Sequence, residues 1–209
     1  MTALLIDTSS AYSLVGISEG KSLLYTDISS HGNNLSRYLL PSIQDAITKT
    51  SASLEYIAVG MGPGSYTGTR VGATVAKTLS FALNIPIAPF CSLLSFLPDR
   101  EGLFGCLMPA KSGNCYLLKG RLAEGALSVT FSSLLTPEET LAQCRECDYL
   151  AVQDSAALPL IIRDSSIELL DWHPNLKNPL LFAHSRFLEG LDTNACEAEM
   201  IYLHVPSKR

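Results

Sequence analysis

At 209 residues and 47% hydrophobic, the chain is long enough for one large domain or two small ones and can bury a core without disulfide staples. A net charge of -5 and a pI near 5.3 argue against a free-standing nucleic-acid binder, because phosphate neutralisation by Lys and Arg supplies most non-specific affinity. Any nucleic acid is therefore expected to be held by a partner.

The opening residues lack a basic stretch leading into a long apolar one, so Ala3 to Ile6 read as a first strand rather than a signal peptide. No apolar run approaches the roughly 18 residues of a membrane span, and the cytosol is the expected compartment. The first run ends in Asp7-Thr8-Ser9-Ser10, Tyr12 to Ile17 gives a second strand, Glu19-Gly20-Lys21 a turn and Ser22 to Ile28 a third. Leu35, Leu39, Leu40, Ile43, Ala46 and Ile47 then recur at helical spacing. Asn33 or Asn34 can cap that helix, and Pro41 inside it should bend it or remove a backbone bond. Leu54 to Gly60 reads as a buried strand, a helix is expected from about Thr67 to Leu83, and Asn84 and Pro86 end it.

Ile85 to Pro89 is a short strand and Ser92 to Leu97 a helical turn. A boundary falls near Pro98 to Gly102, where a second half begins. Leu103 to Pro109 and Asn114 to Leu122 form a strand pair turned at Ser112-Gly113, Pro137 to Cys144 a helix with Glu138 and Glu139 near its positive end, and Tyr149 to Val152 a strand. Helices are expected near Pro159 to Ile162 and Pro179 to Leu188, a strand at Ile167 to Leu170, and a closing strand or helix at Glu197 to Leu203. The six cysteines are scattered and suit buried reduced thiols. Cys144-Arg145-Glu146-Cys147 is a CxxC, but a zinc site needs a second ligand pair and none stands at ordinary spacing, so neither metal nor redox use is expected of it.

Two features carry chemistry. Gly60-Met61-Gly62-Pro63-Gly64-Ser65 turns from a strand directly into a helix, which aims free N–H groups at the helix's positive end as in phosphate sites. The loop lacks a Walker lysine and the GxGxxG spacing, so a tight turn capped by Ser65 explains it as well. In the helix behind it, Gly68, Gly72, Ala76 and Ser80 form a ridge of small side chains beside the apolar stripe Val71, Val75, Leu79 and Ala82. Arg70, Thr74 and Lys77 cover the rest. A helix on one sheet needs one stripe, so the surplus suggests a second layer, either the Leu35 to Ile47 helix or a helix of another subunit.

Ile6-Asp7-Thr8-Ser9, Leu39-Leu40-Pro41 and above all Gly60-x-Gly62-Pro63-Gly64-Ser65-Tyr66-Thr67-Gly68-x-Arg70-Val71-Gly72 closely resemble the TsaB (YeaZ) family. This is the smaller actin-like subunit of the bacterial machinery for N6-threonylcarbamoyladenosine (t6A) on tRNA. The match is close over residues 1 to 97 and loose beyond, where Tyr202-Leu203 looks like the closing motif. The resemblance implies an α/β ASKHA fold: two actin-like lobes on mixed five-strand sheets, at 1–98 and a reduced 99–196, with 197–209 packing back on the first. It implies a non-catalytic scaffold for the larger catalytic paralogue TsaD, contact with the ATPase TsaE, a homodimer through the same helices, and tRNA reached only through the complex. The interface residues would be Leu35, Leu39, Ile43, Gly68, Gly72, Val75, Ala76, Leu79 and Ser80. No cofactor is required; Asp7, Thr8, Gly62, Gly64, Ser65 and Gly68 are candidates for a weak ATP or ADP contact.

Departures from catalytic relatives support a non-enzyme. A phosphotransferase of this fold needs carboxylates in the phosphate loops of both halves, and the second-half turn Met108-Pro109-Ala110 has none at Pro109. The HxxxH metal pair of the catalytic paralogues is absent from His31, His173, His184 and His204. A small-molecule kinase or ATPase acting alone through Asp7, Thr8, Gly64 and Ser65 is the alternative, and a glycoprotease-like metallopeptidase is disfavoured.

Overall fold

The structure is a computed structural model that describes residues 1–30, 34–110 and 113–191. His31, Asn33, Ser112, Cys196, the closing segment 197–203, Tyr202-Leu203 and His204 lie outside these residues.

The described chain forms two compact units, one of residues 1–95 and 174–191, the other of residues 96–173. In the first, β1 (Thr2–Asp7), β2 (Ser13–Glu19) and β3 (Ser22–Ser29) make an antiparallel meander. After α1 (Leu35–Thr50), β4 (Tyr56–Gly60) pairs parallel with β1. After α2 (Tyr66–Leu83), β5 (Ile87–Phe90) pairs parallel with β4. The sheet order is β3-β2-β1-β4-β5.

β1 and β4 are buried almost throughout, as expected of strands covered on both faces. On one face Leu4, Ile6, Val15, Ile17, Ile57 and Val59 pack with Leu39, Ile43 and Ala46 of α1 and Ala73 and Ala76 of α2. Each fully buried Leu or Ile there contributes about 1.5–3 kcal/mol. α1 runs through Pro41 without a break. Asn34 sits at its N-cap but makes no side-chain capping bond, so the expected asparagine cap does not form there.

The other face is covered by α5 (Lys177–Leu188), at the far end of the described chain. Phe187 stacks on Tyr56 with ring centroids 4.2 Å apart, and the Tyr56 hydroxyl lies 3.3 Å from Nδ1 of His184. Leu176, just before α5, fills the space over Gly16, where a Cβ would stand 2.6 Å from its side chain. This corrects the expectation that 99–196 form the second lobe: residues 174–191 belong with the first, because its sheet has a second apolar face to cover.

In the second unit β6 (Gly102–Pro109), β7 (Cys115–Ala123) and β8 (Ala126–Leu135) form a meander. β9 (Tyr149–Val152) pairs parallel with β6, and β10 (Glu168–Asp171) with β9, giving the order β10-β9-β6-β7-β8. Strand positions therefore correspond one to one with the first sheet. What is reduced is the helical layer: α3 (Pro137–Cys144) and α4 (Leu160–Arg163) replace helices of 16 and 18 residues with 8 and 4. α3 opens with a capping box in which Thr136 and Glu139 each accept the other's backbone N–H. β8 is a strand that the sequence reading leaves out; it lies at the sheet edge, with Leu127, Val129 and Phe131 half-buried and the intervening Ser128, Thr130 and Ser132 exposed.

Candidate functional site

Where β4 ends, the chain turns through Met61 to Ser65 and enters α2. Ser65 caps the helix, its hydroxyl accepting from the Gly68 N–H at 3.2 Å. The Ser65 N–H donates to the Ser9 carbonyl at 2.6 Å. The Gly62 N–H donates to Ser92 Oγ at 3.0 Å, and the Ser92 N–H returns a bond to the Gly62 carbonyl at 2.8 Å. The Gly62–Pro63 peptide is cis. The N–H groups of Gly62, Ser65 and Gly68, which the sequence offers to a phosphate, are thus engaged with the chain itself.

The glycines explain why. A Cβ on Gly64 would stand 2.2 Å from the Ser9 carbonyl oxygen, and one on Gly68 would stand 2.0 Å from that of Thr8. The close approach these residues permit is that of the segment just after β1. Thr8 completes the joint by donating its hydroxyl to the Gly68 carbonyl at 2.7 Å.

Asp7 lies under this joint, 1% exposed. Its carboxylate accepts from the Ser9 N–H at 3.0 Å, Ser92 Oγ at 3.1 Å and Ser95 Oγ at 2.7 Å. Gly60 leaves room for it, since a Cβ there would fall 2.5 Å from the carboxyl carbon. Burial pushes the Asp7 carboxyl above its usual range, against the bonds from Ser95, Ser9 and Ser92. The arrangement ties the end of β1 to the Ser92–Phe96 turn. Pro109 ends β6 as Asp7 ends β1, and it is exposed.

The helix α2 turns its small ridge inward. Gly68, Gly72, Ala76 and Ser80 are all buried; a Cβ on Gly72 would meet Thr8 Oγ1 at 2.3 Å, and Ser80 bonds the Ile85 carbonyl at 2.5 Å. These four positions, expected at the partner interface, are therefore corrected: they let α2 sit close on its own sheet. A leucine at Gly72 or Ala76 would unseat the helix and so would not test pairing. Leu39 and Ile43 are likewise core, while Leu35, Val75 and Leu79 are half-buried.

The outward side of α2 carries Tyr66, Arg70, Thr74, Thr78 and Phe81, spaced by three and four residues and all exposed. Phe81 is 82% exposed. The Arg70 guanidinium lies 3.7 Å from the Tyr66 ring centre. Beside this stripe an open groove of about 420 Å³ runs past Ser36, Thr67, Val71 and Val75, and α1 adds the exposed side chains of Tyr38 and Leu40. The sequence reading treats Arg70 and Thr74 as solvent cover and passes over Phe81; a phenylalanine seven residues beyond Thr74 was the available signal.

His184 packs against Tyr56 and His173 is exposed. Among the described residues no three of His, Cys, Asp and Glu converge as metal ligands, and no helix is long and apolar enough to cross a membrane.

Two sheets of matching order, each a meander followed by two parallel crossovers, define an actin-like α/β protein of the ASKHA class. YeaZ from Pseudomonas aeruginosa superposes with a TM-score of 0.82 at 21% identity, over 97% of this chain and 99% of that one. The family model described as "TsaD: tRNA N6-adenosine threonylcarbamoyltransferase" matches residues 29–126. The tRNA threonylcarbamoyladenosine biosynthesis protein TsaB of Bacillus subtilis is 32% identical over 122 residues, covering 56% of this chain and 53% of that protein. The protein of the same name from Escherichia coli is 26% identical over 181 residues, covering 79% and 78%. Over these stretches the chain is similar to the TsaB (YeaZ) proteins. Its match spans about half the length of the Bacillus relative.

Proposed function

We propose that the chain is a non-catalytic scaffold for forming N6-threonylcarbamoyladenosine on tRNA, holding a TsaD-like catalytic paralogue against the outer face of α1 and α2. The observation that carries this reading is the outward stripe of α2, where Tyr66 and Thr74 line an open groove and Phe81 stands exposed farther along the helix, while the small ridge is used within the chain. Large exposed aromatic side chains around a concave strip are what a helical partner anchors on. The names of the relatives from Bacillus subtilis and Escherichia coli support the pathway.

In this reading Leu39 and Ile43 hold α1 in place, and Leu35, Val75 and Leu79 flank the contact. A TsaE-like ATPase is a second partner, a homodimer competes for the same face, and tRNA is reached through the complex, as suits a net charge of -5. The work takes place in the cytoplasm. The chain needs no cofactor, and any weak ATP or ADP contact falls at the exposed outer edge of the loop, at Gly64 and Ser65.

The test is capture of the TsaD-like paralogue from the same cell by the tagged chain. Phe81→Glu and Thr74→Arg are expected to weaken capture at least about tenfold, as loss of a central anchor does, and to lower t6A in cellular tRNA, while thermal unfolding is unchanged. Undiminished capture by both variants would overturn the assignment of this face.

A further inference from the structure

We propose that Cys144 and Cys147 form a reversible dithiol–disulfide pair in which Cys147 is the attacking thiol and Cys144 the resolving one. This inference is independent of the scaffold role and concerns the second unit alone.

α3 ends at Cys144, and the Cys147 N–H donates to the Cys144 carbonyl at 2.9 Å, closing a turn of four residues. Such a turn holds its end Cα atoms within about 7 Å, and a disulfide spans about 4.4–6.8 Å. The three-residue spacing and this turn bring the two side chains together at the C-terminal end of α3. The turn thus brings the two cysteines close to the span of a disulfide.

The two sulfurs have unequal surroundings. Cys144 is fully buried among Leu107, Cys115, Leu117 and Leu150. Cys147 is half-buried, and among the described cysteines it is the one within reach of solvent. Interaction with Cys147, together with burial, raises the pKa of the Cys144 thiol, and interaction with Cys144 lowers that of Cys147. Lys119, whose ammonium donates to the neighbouring Gln143 carbonyl, favours both thiolates, while Asp148 and Glu146 oppose that at Cys147. Cys144 also sits at the negative end of α3, which disfavours a thiolate there. By contrast Cys115, buried beside the pair, is pushed up to about 11 by desolvation.

The oxidant is a low-molecular-weight disulfide. The Cys147 thiolate attacks one of its sulfurs, the S–S bond breaks, and the departing thiolate takes up a proton from water, leaving a mixed disulfide on Cys147. Cys144 then attacks the Cys147 sulfur, its proton goes to the second leaving thiolate, and two free thiols depart. The protein pair loses two electrons, the small disulfide gains two, and excess thiol reverses the sequence.

The experiment treats the full-length chain with glutathione disulfide and maps its cysteines by mass spectrometry. The wild type is expected to lose two hydrogens through a 144–147 bond that thiol restores. Cys144→Ser should instead accumulate a glutathione adduct on Cys147, and Cys147→Ser should form neither product. Alkylation of the reduced chain should modify Cys147 at least about tenfold faster than the buried cysteines. A wild type that stays reduced, keeps a stable adduct, or forms its bond between other cysteines would overturn the proposal. That readout needs no variant, so a Cys144→Ser chain that fails to fold leaves the test intact.

Discussion

At the scale of single residues, Asp7 is where the sequence and the structure part most instructively. A carboxylate closing the first strand of an actin-like sheet invites a reading as a phosphate or metal group, yet here it accepts three bonds from Ser9, Ser92 and Ser95 and is sealed from solvent. Its carboxyl is raised by burial above the ordinary 3.8. Stability linked to Asp7 is therefore fully present below the unfolded value and is lost as pH rises through the folded one. Asn keeps the shape and can accept from Ser9 and Ser92 while donating to Ser95. Asp7→Asn should thus fold, be equally or more stable at neutral pH, and lack this downward slope in denaturant midpoints measured across pH. It should also support t6A formation, whereas an enzyme working through Asp7 would lose its activity. Asp7→Ala should be worse than Asp7→Asn by about 1–3 kcal/mol, because it strands buried donors. The residue was legible as important from its place after an apolar run; its actual partners, 85 and 88 positions away, were not.

Among the elements, α1, α2 and the strands of the first sheet were legible because apolar spacing and the capping residues Ser65 and Asn84 agree with the packing. β8 was not read, although Leu127, Val129 and Phe131 alternating with Ser128, Thr130 and Ser132 give the period of two of a half-buried strand. For α2, sequence spacing shows a ridge of small residues but cannot say which layer it meets. The structure assigns that ridge to the first sheet and leaves Phe81 outside. α5 makes its own prediction. His184 is held below the ordinary 6.5 by burial first, then by the charges of Lys21 and the N-terminus. Its depressed folded value means that stability is present above the unfolded pKa and is lost as pH falls through the folded one. Protection factors along α5, corrected for the intrinsic slowing of exchange in acid, should fall on acidification below about 6.5, and His184→Phe should flatten that dependence. A profile for α5 that does not change over this range would show that the Tyr56 contact tolerates the imidazolium.

For the molecule as a whole, the two units share a strand order but not a construction. The second is continuous in sequence, residues 96–173, whereas the first draws on 1–95 and on 174–191. Removing residues 174–209 should expose the face of the first sheet that carries Leu5, Leu14 and Tyr56, all now buried. Phe187 is half-buried, so loss of its stack alone costs less than the about 3–5 kcal/mol of a fully buried phenylalanine. The shortened chain is expected to lose cooperative unfolding of the first unit and to bind a hydrophobic dye; a sharp, unaltered transition would show that α5 is dispensable. The same arrangement sets an order of events on the ribosome. At about 5–20 residues per second, the first sheet emerges and then waits several seconds, one face bare, while the whole second unit is made. The half of the chain synthesised first is therefore the last to be finished, and it is during that interval that the nascent protein depends most on a chaperone.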